Sequence, residues 1–341
     1  MRTLFFAFAL LALSGTGARA NITVVSFKMG GMVLEKTTKV KILEEDLRLS
    51  PFQITVRYRL QNLTDNPIRT RVAFPLPKLD IEGNWHDRFG IGWQGKSGWN
   101  PVDFSVRVNE NAVEPSLHVR ANVGKRDISE VLRKHNIPPT DAGRSLSDRL
   151  NALTPQEEKA LVAAGALKRW GASVSPSPTW NATLTFHWDM EFAASRETSV
   201  EISYKPLAGG ANIHGDPDFA PSTCLRGCEN YKPHIVPRHP CRSDQDTARL
   251  QTMYRTIDVF AFTEFGYVLK TGRNWAGPIE RFRLTLDTLK PDAVLDFCPP
   301  PMRRALRRTG PSTWTFEATN FTPAADIDVN LYTADDLEWP N

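Results

Sequence analysis

The chain has 341 residues, 41% of them hydrophobic and 23% charged, with a formal net charge of +4. That length supports a large core and two domains. Outside Arg303, Arg304, Arg307 and Arg308 the basic residues are interspersed with acids, so the sequence has no broad basic stripe of the kind nucleic-acid binding requires. No segment past the N-terminus has the roughly 20 apolar residues of a membrane span, so no transmembrane segment is expected.

Residues 1–20, MRTLFFAFALLALSGTGARA, open with Arg2, run apolar through residues 4–13 and close as Ala18-Arg19-Ala20. This is the pattern of a secretory signal peptide, with cleavage before Asn21. Export would place the four cysteines, Cys224, Cys228, Cys241 and Cys298, in an oxidising compartment, where an even count favours two disulfides. Three pairings are possible. The one expected joins Cys224 to Cys228 as a local clasp and Cys241 to Cys298 as a long-range tie, in preference to a metal knuckle or a redox pair.

Residues 22–27 read as a strand, and Gly30-Gly31 as a bend leading into another. No Gly-Lys-Ser/Thr follows, so this is not a phosphate loop. Glu44, Glu45 and Asp46 read as a solvated acidic patch before a strand. Residues 53–74 alternate apolar and polar on both sides of Asn62-Leu63-Thr64-Asp65-Asn66-Pro67, which predicts a hairpin. Residues 79–102 carry Trp85, Trp93 and Trp99 among glycines, a loop that either presents rings to a ligand or seals the end of a sandwich.

From about 127 to 170 the period changes to helical. Val131 and Leu132 mark a first helix and residues 145–153 a second, with Ser145 and Asp148 at capping spacing. Thr154-Pro155-Gln156-Glu157 opens a third with a hydroxyl cap, a proline at the first position and a glutamate reaching back. Strand patterns resume at residues 181–190 and 200–204. A Gly/Pro/Asp-rich linker or loop follows over 206–218, then short strands around 256–262, 266–270, 281–288, 293–297, 312–318 and 327–332. This pattern predicts a mainly β protein of antiparallel β-sandwich units with a short helical insertion. The expected division is a signal peptide over 1–20, an N-terminal β-sandwich domain over 21–210 and a C-terminal β domain over 211–341 stapled by disulfides.

Several residue clusters carry candidate chemistry. In residues 271–278, Arg273 offers fixed donors for an anion, Asn274 can orient a polar group and Trp275 supplies an apolar plane, which makes these three the candidate ligand-binding residues. A structural loop whose tryptophan plugs the core is the other reading. His214, Asp216, Asp218, His234 and His239 are metal-ligand types without helical i, i+4 spacing, so no metal site is expected. Ser222 and Ser243 lie in no nucleophile elbow, and no catalytic residue is assigned. Arg303, Arg304, Arg307 and Arg308 read as a solvated basic turn. No cofactor is expected.

Gly30-Gly31-Met32-Val33-Leu34, Glu45 to Pro51, and Val56-Arg57-Tyr58 through Ala73-Phe74-Pro75-Leu76-Pro77 form one set of distinctive segments. Tyr267 to Glu280, Phe282-Arg283-Leu284, Asp296-Phe297-Cys298 and Asn320-Phe321-Thr322-Pro323 form the other. Together they resemble domain of unknown function family 4424, a family of exported bacterial proteins, over almost the whole mature chain. The resemblance implies export to the periplasm of a Gram-negative bacterium and a Cys241–Cys298 tie, and it transfers no reaction. The segment ending in Phe74-Pro75-Leu76-Pro77 is also locally similar to the β-rich module at the front of inter-alpha-trypsin inhibitor heavy chains. The resulting expectation is a periplasmic binding or protein-interaction module that meets an envelope protein or cell-envelope component. The alternative is an envelope hydrolase with its site between the β units, and enzymatic activity is left open.

Overall fold

In chain order the strands are β1 (Thr23–Lys28), β2 (Gly31–Glu35), β3 (Val40–Leu49), β4 (Ile54–Asn62), β5 (Ile68–Pro75), β6 (Leu79–Asp80), β7 (Ser105–Val108), β8 (Asn111–Val113), β9 (Ser116–Val123) and β10 (Arg126–Asp127). They continue as β11 (Leu167–Lys168), β12 (Ser177–Pro178), β13 (Asn181–Phe192), β14 (Glu197–Tyr204), β15 (Gly209–His214), β16 (Val259–Tyr267), β17 (Ile279–Asp287), β18 (Val294–Cys298), β19 (Arg307–Arg308), β20 (Thr313–Phe321) and β21 (Ile327–Thr333). The helices are α1 (Ser129–Lys134), α2 (Gly143–Asn151), α3 (Pro155–Ala163), α4 (Asp244–Thr256) and α5 (Pro300–Ala305), with a 3-10 helix at Lys270–Asn274.

This computed structural model describes residues 22–28, 31–81, 100, 102–141, 143–169, 171, 176–215 and 236–337. The expected leader, Gly30, Trp85, Trp93, Trp99, Asp216, Asp218, Ser222, Cys224, Cys228 and His234 lie outside the described residues.

The protein is mostly β, with helices. A seven-stranded sheet runs β10-β9-β13-β5-β1-β2, with β6 also on β13, and an eight-stranded sheet runs β19-β20-β17-β3-β4-β14-β7-β8. A four-stranded sheet, β15-β16-β21-β18, and the small β11–β12 pair complete the set. The neighbours pair antiparallel except β3 and β17, which run parallel with Leu47 opposite Leu284. The eight-stranded sheet thus draws strands from both sides of residue 210, and one core cluster extends from Ile22 to Leu331. The seven- and eight-stranded sheets touch through Phe74 and Tyr204, whose ring centroids are 5.5 Å apart.

The expected 53–74 hairpin is not formed. β4 pairs with β3 and β14, whereas β5 pairs with β1 and β13, so the chain crosses from one sheet to the other between them. β13 and β14 cross back beside it. Asn62 holds both corners. Its Nδ2 donates to the carbonyls of Asn66 (2.8 Å), Phe192 (3.1 Å) and Ala193 (3.2 Å), and its Oδ1 accepts from the Thr64 backbone N–H and hydroxyl. Buried backbone carbonyls need such partners.

The acidic patch also differs from expectation, because residues 44–46 lie inside β3. A bulge interrupts the β3–β4 register between Ile42 and Glu44. One extra residue reverses which side chains face inward. Val40 and Ile42 are buried before it, Glu45, Leu47 and Leu49 after it, and Glu44, Asp46 and Arg48 turn outward. Glu45 is therefore fully enclosed, where Tyr267 Oη donates to it at 3.3 Å and lies 2.8 Å from Tyr58 Oη.

The helical insertion supplies Leu132, Leu146, Leu150 and Leu161 to the core, and α1 packs on β9. Thr154 and Glu157 form the expected reciprocal cap on α3. α2 begins earlier than expected, so Ser145 sits within it and bonds Asp141 Oδ2 at 3.2 Å. α4 is an addition to the sequence reading. Ser243 caps it by accepting from the Asp246 backbone N–H at 3.0 Å, while Leu250 packs with Val236, Phe260, Val294 and Tyr332.

Cys241 and Cys298 are joined by a disulfide, with Cα atoms 5.0 Å apart. Arg242 and Asp296 beside it form a β-bridge and a buried ion pair, with Nη2 to Oδ2 at 2.6 Å. A second tie runs from Arg303 Nη2 to Asp246 Oδ2 at 2.7 Å. This corrects the reading of residues 303–308 as a wholly solvated turn: Arg303 is largely enclosed over Trp314, with its guanidinium 5.3 Å from the ring.

Candidate functional site

Two of the three residues singled out in the 271–278 loop, Asn274 and Trp275, serve the interior. Trp275 is 4% exposed, its Nε1 donates to the Ile22 carbonyl at 2.7 Å, and its ring meets Phe192 edge-on at 6.2 Å. Asn274 is also buried. Its Nδ2 donates to Thr23 Oγ1 at 3.2 Å and its carbonyl accepts from the Thr37 N–H at 2.7 Å. Only Arg273 is exposed. Through Asn274 and Trp275 the loop is a clasp on the start of β1, and the Trp275 ring is not an open aromatic plane. The sequence alone left the two readings open because a Gly/Pro-flanked tryptophan is compatible with either.

Of the five metal-type residues, only His214 and His239 are among the described residues. Among the described residues, no three His, Cys, Asp or Glu side chains gather to hold a metal ion. His239 Nδ1 instead accepts from the Cys241 N–H at 3.4 Å, and Ser243 is a helix cap. No described helix is long and apolar enough to cross a membrane.

The outer face of the eight-stranded sheet holds a cleft of about 480 Å³ lined by Glu44, Asp46, Arg57, Arg59, Arg107, Glu110, Ser199 and Glu201 together with parts of Tyr58 and Val200. Its walls follow from strand pairing. Across the sheet, Glu317 on β20 faces Arg283 on β17, which faces Asp46 on β3; Asp46 faces Arg57 on β4, Arg57 faces Glu201 on β14, and Glu201 faces Arg107 on β7. Signs alternate along the whole row. A neighbouring row places Arg281, Glu44 and Arg59 side by side. Directly opposed residues lie within about 5.5 Å of one another, so opposite charges pair across strands.

The middle of the cleft is closed by such pairs. Arg57 Nε meets Glu201 Oε2 at 2.5 Å, and Arg59 reaches Glu44 at 3.0 Å and Glu197 at 2.9 Å. Hydrogen bonding to Glu201 and its charge raise the Arg57 pKa above its ordinary value, and Glu197 acts likewise on Arg59. The cleft therefore presents fixed charge of both signs on a rigid sheet, suited to polar recognition. The sequence held a signal for it: carboxylates at Glu44, Asp46, Glu197 and Glu201 and guanidiniums at Arg57 and Arg59 occupy alternate positions of three strands. Only the bulge and the strand order bring them together.

A second cavity of about 580 Å³ opens beside β7 and β8, between Phe104, Val106, Val113, Leu117 and Phe186. On the seven-stranded sheet, Arg71 pairs with Asp189 at 2.7 Å near His118 and His187.

Residues 20–330 match the family model described as a domain of unknown function, DUF4424. No protein of the curated set matches the chain. Among solved structures the chain is similar to a candidate nutrient-binding protein of Legionella pneumophila, with 14% identity and a TM-score of 0.45 over 92% of this chain and 71% of that one.

Proposed function

We propose that this chain, which belongs to the DUF4424 family, works in the periplasm as a binding or protein-interaction module whose contact surface is the charged cleft of the eight-stranded sheet. Its partner on this reading is an envelope protein or another cell-envelope component. The signal-like residues 1–20 support the address, and the Cys241–Cys298 disulfide suits an oxidising compartment. The two large sheets are taken as leaves of a β-sandwich, with the cleft on the outer side of one leaf.

One observation carries the binding role. Charged side chains from four adjacent strands, β3, β4, β14 and β7, converge on one concave surface and are held in register by the sheet. The hydrolase alternative gains little support from its best carboxylate between the sheets. Glu45 is fully enclosed beneath Tyr58 and Tyr267, and burial pushes both phenols well above their ordinary pKa.

The test incubates tagged mature protein with a periplasmic extract of its own bacterium and identifies crosslinked material. A reproducible partner is expected for the natural protein, with its loss in Arg57→Gln/Arg59→Gln at an unchanged melting temperature. Equal recovery by both proteins would overturn the assignment of the cleft. Turnover of an envelope polymer by the purified protein would overturn the binding role.

A further inference from the structure

We infer that the cleft receives an extended polypeptide segment bearing a cationic side chain and an anionic side chain four residues apart, the cation lying toward Asp46 and the anion toward Arg107. This rests on the cleft being the binding surface and specifies what that surface reads.

Within the row Asp46–Arg57–Glu201–Arg107, the two inner groups satisfy each other at 2.5 Å. The two ends do not share such a pairing. Asp46 is partly exposed and lines the cleft, although its Oδ1, which lacks a hydrogen-bond donor, is itself turned away from solvent. The guanidiniums flanking it lie closer to other carboxylates, Arg57 to Glu201 and Arg283, at 3.4 Å, to Glu317, and Asp46 acts on Arg57 through its charge alone. At the other end Arg107 is exposed, and its Nε and Nη2 donate to the backbone carbonyl of Glu110, at 3.0 and 2.7 Å. Among the described residues no carboxylate forms an ion pair with Arg107, including that of Glu110 at the same turn. The cleft thus has an anionic end and a cationic end separated by a neutralised middle.

Spacing selects the ligand. Asp46 and Arg107 are separated by three strand-to-strand steps, about 14 Å at the usual 4.7–4.9 Å per step. An extended chain rises about 3.3 Å per residue and returns its side chains to the same side every second residue. Residues i and i+4 are then about 13 Å apart and face the same way. Residues i and i+2, about 7 Å apart, would set one charge over the closed Arg57–Glu201 pair. A polyanion is disfavoured, because Glu44, Asp46, Glu110 and Glu201 share the cleft with only three arginines.

The test uses end-blocked Ser/Thr-rich peptides and fluorescence anisotropy at low salt. One peptide carries Lys and Glu at i and i+4; three others replace Lys by norleucine, replace Glu by Gln, or shorten the spacing to i+2. The first should bind tightest, with each change weakening binding by about threefold, as expected for an exposed ion pair. Asp46→Asn should erase only the Lys dependence, and Arg107→Gln only the Glu dependence. Equal binding of all four peptides, or an equal effect of both variants on every peptide, would overturn the inference. If peptides fail while capture of the natural partner still requires Arg57 and Arg59, the segment inference falls and the binding role stands. If capture ignores those arginines, the cleft assignment falls too.

Discussion

The indole Nε1 of Trp275 donates to the carbonyl of Ile22 at 2.7 Å, across 253 positions of chain. With Asn274 holding Thr23, this contact fastens the first described strand to the second half of the protein. Trp275→Ala removes a buried ring as well as a donor, so urea unfolding should show a loss of about 3–5 kcal/mol. A change within about 0.5 kcal/mol, the range of ordinary surface positions, would restore Trp275 as a ligand-facing residue.

Removing the Cys241–Cys298 bond should cost about 4 kcal/mol, from the entropy regained by an unfolded loop of this length, given a sequence separation of 57. Denaturation of Cys241→Ala/Cys298→Ala, compared with the oxidised natural protein, measures it.

Asp296→Asn should be severe for a different reason. Arg242 would keep its charge in a largely enclosed site without a carboxylate, which typically costs about 3–5 kcal/mol. Arg242→Met/Asp296→Leu removes both charges and should recover most of that loss. A double variant less stable than the single one would contradict this account.

Stability should fall as pH drops from 7 toward 5.5. Burial, then Arg120, holds His118 below the ordinary imidazole value of 6.5; burial, then Arg71, does the same to His187. A depressed folded-state pKa means that the unfolded chain binds the proton more tightly. The contribution is therefore complete above 6.5 and lost as pH falls through the window below it. His118→Gln/His187→Gln should flatten the profile, as read by melting temperature against pH.

Much of the strand content was legible because alternation reveals a buried face. β4 and β5 each show it plainly, yet alternation says nothing about a strand's partner, and their shared turn suggested a hairpin where the chain changes sheets. β3 concealed itself differently. The bulge at Leu43 breaks its phase, so Glu45 entered the core unnoticed while Asp46 turned out to the cleft. α4 had a local cue in Ser243 and Asp246, but its apolar face is short, and a polar helix of this kind is stabilised by what it packs against. Trp275 was recognised as distinctive without its direction being readable, since the carbonyl that fixes it belongs to Ile22.

The parallel alignment of β3 with β17 has a kinetic consequence. β3 lies in the middle of its sheet, but only β4 on one flank is nearby in sequence; the other flank waits for residues 281–286. As the chain emerges from its N-terminus, β3 remains an open edge until most of the protein has been made. Non-local closures of this kind slow folding, and exposed edges recruit other chains. Completion of the eight-stranded sheet thus waits for residues 281–286, and until they arrive the strand that carries Glu44 and Asp46 keeps one edge unpaired.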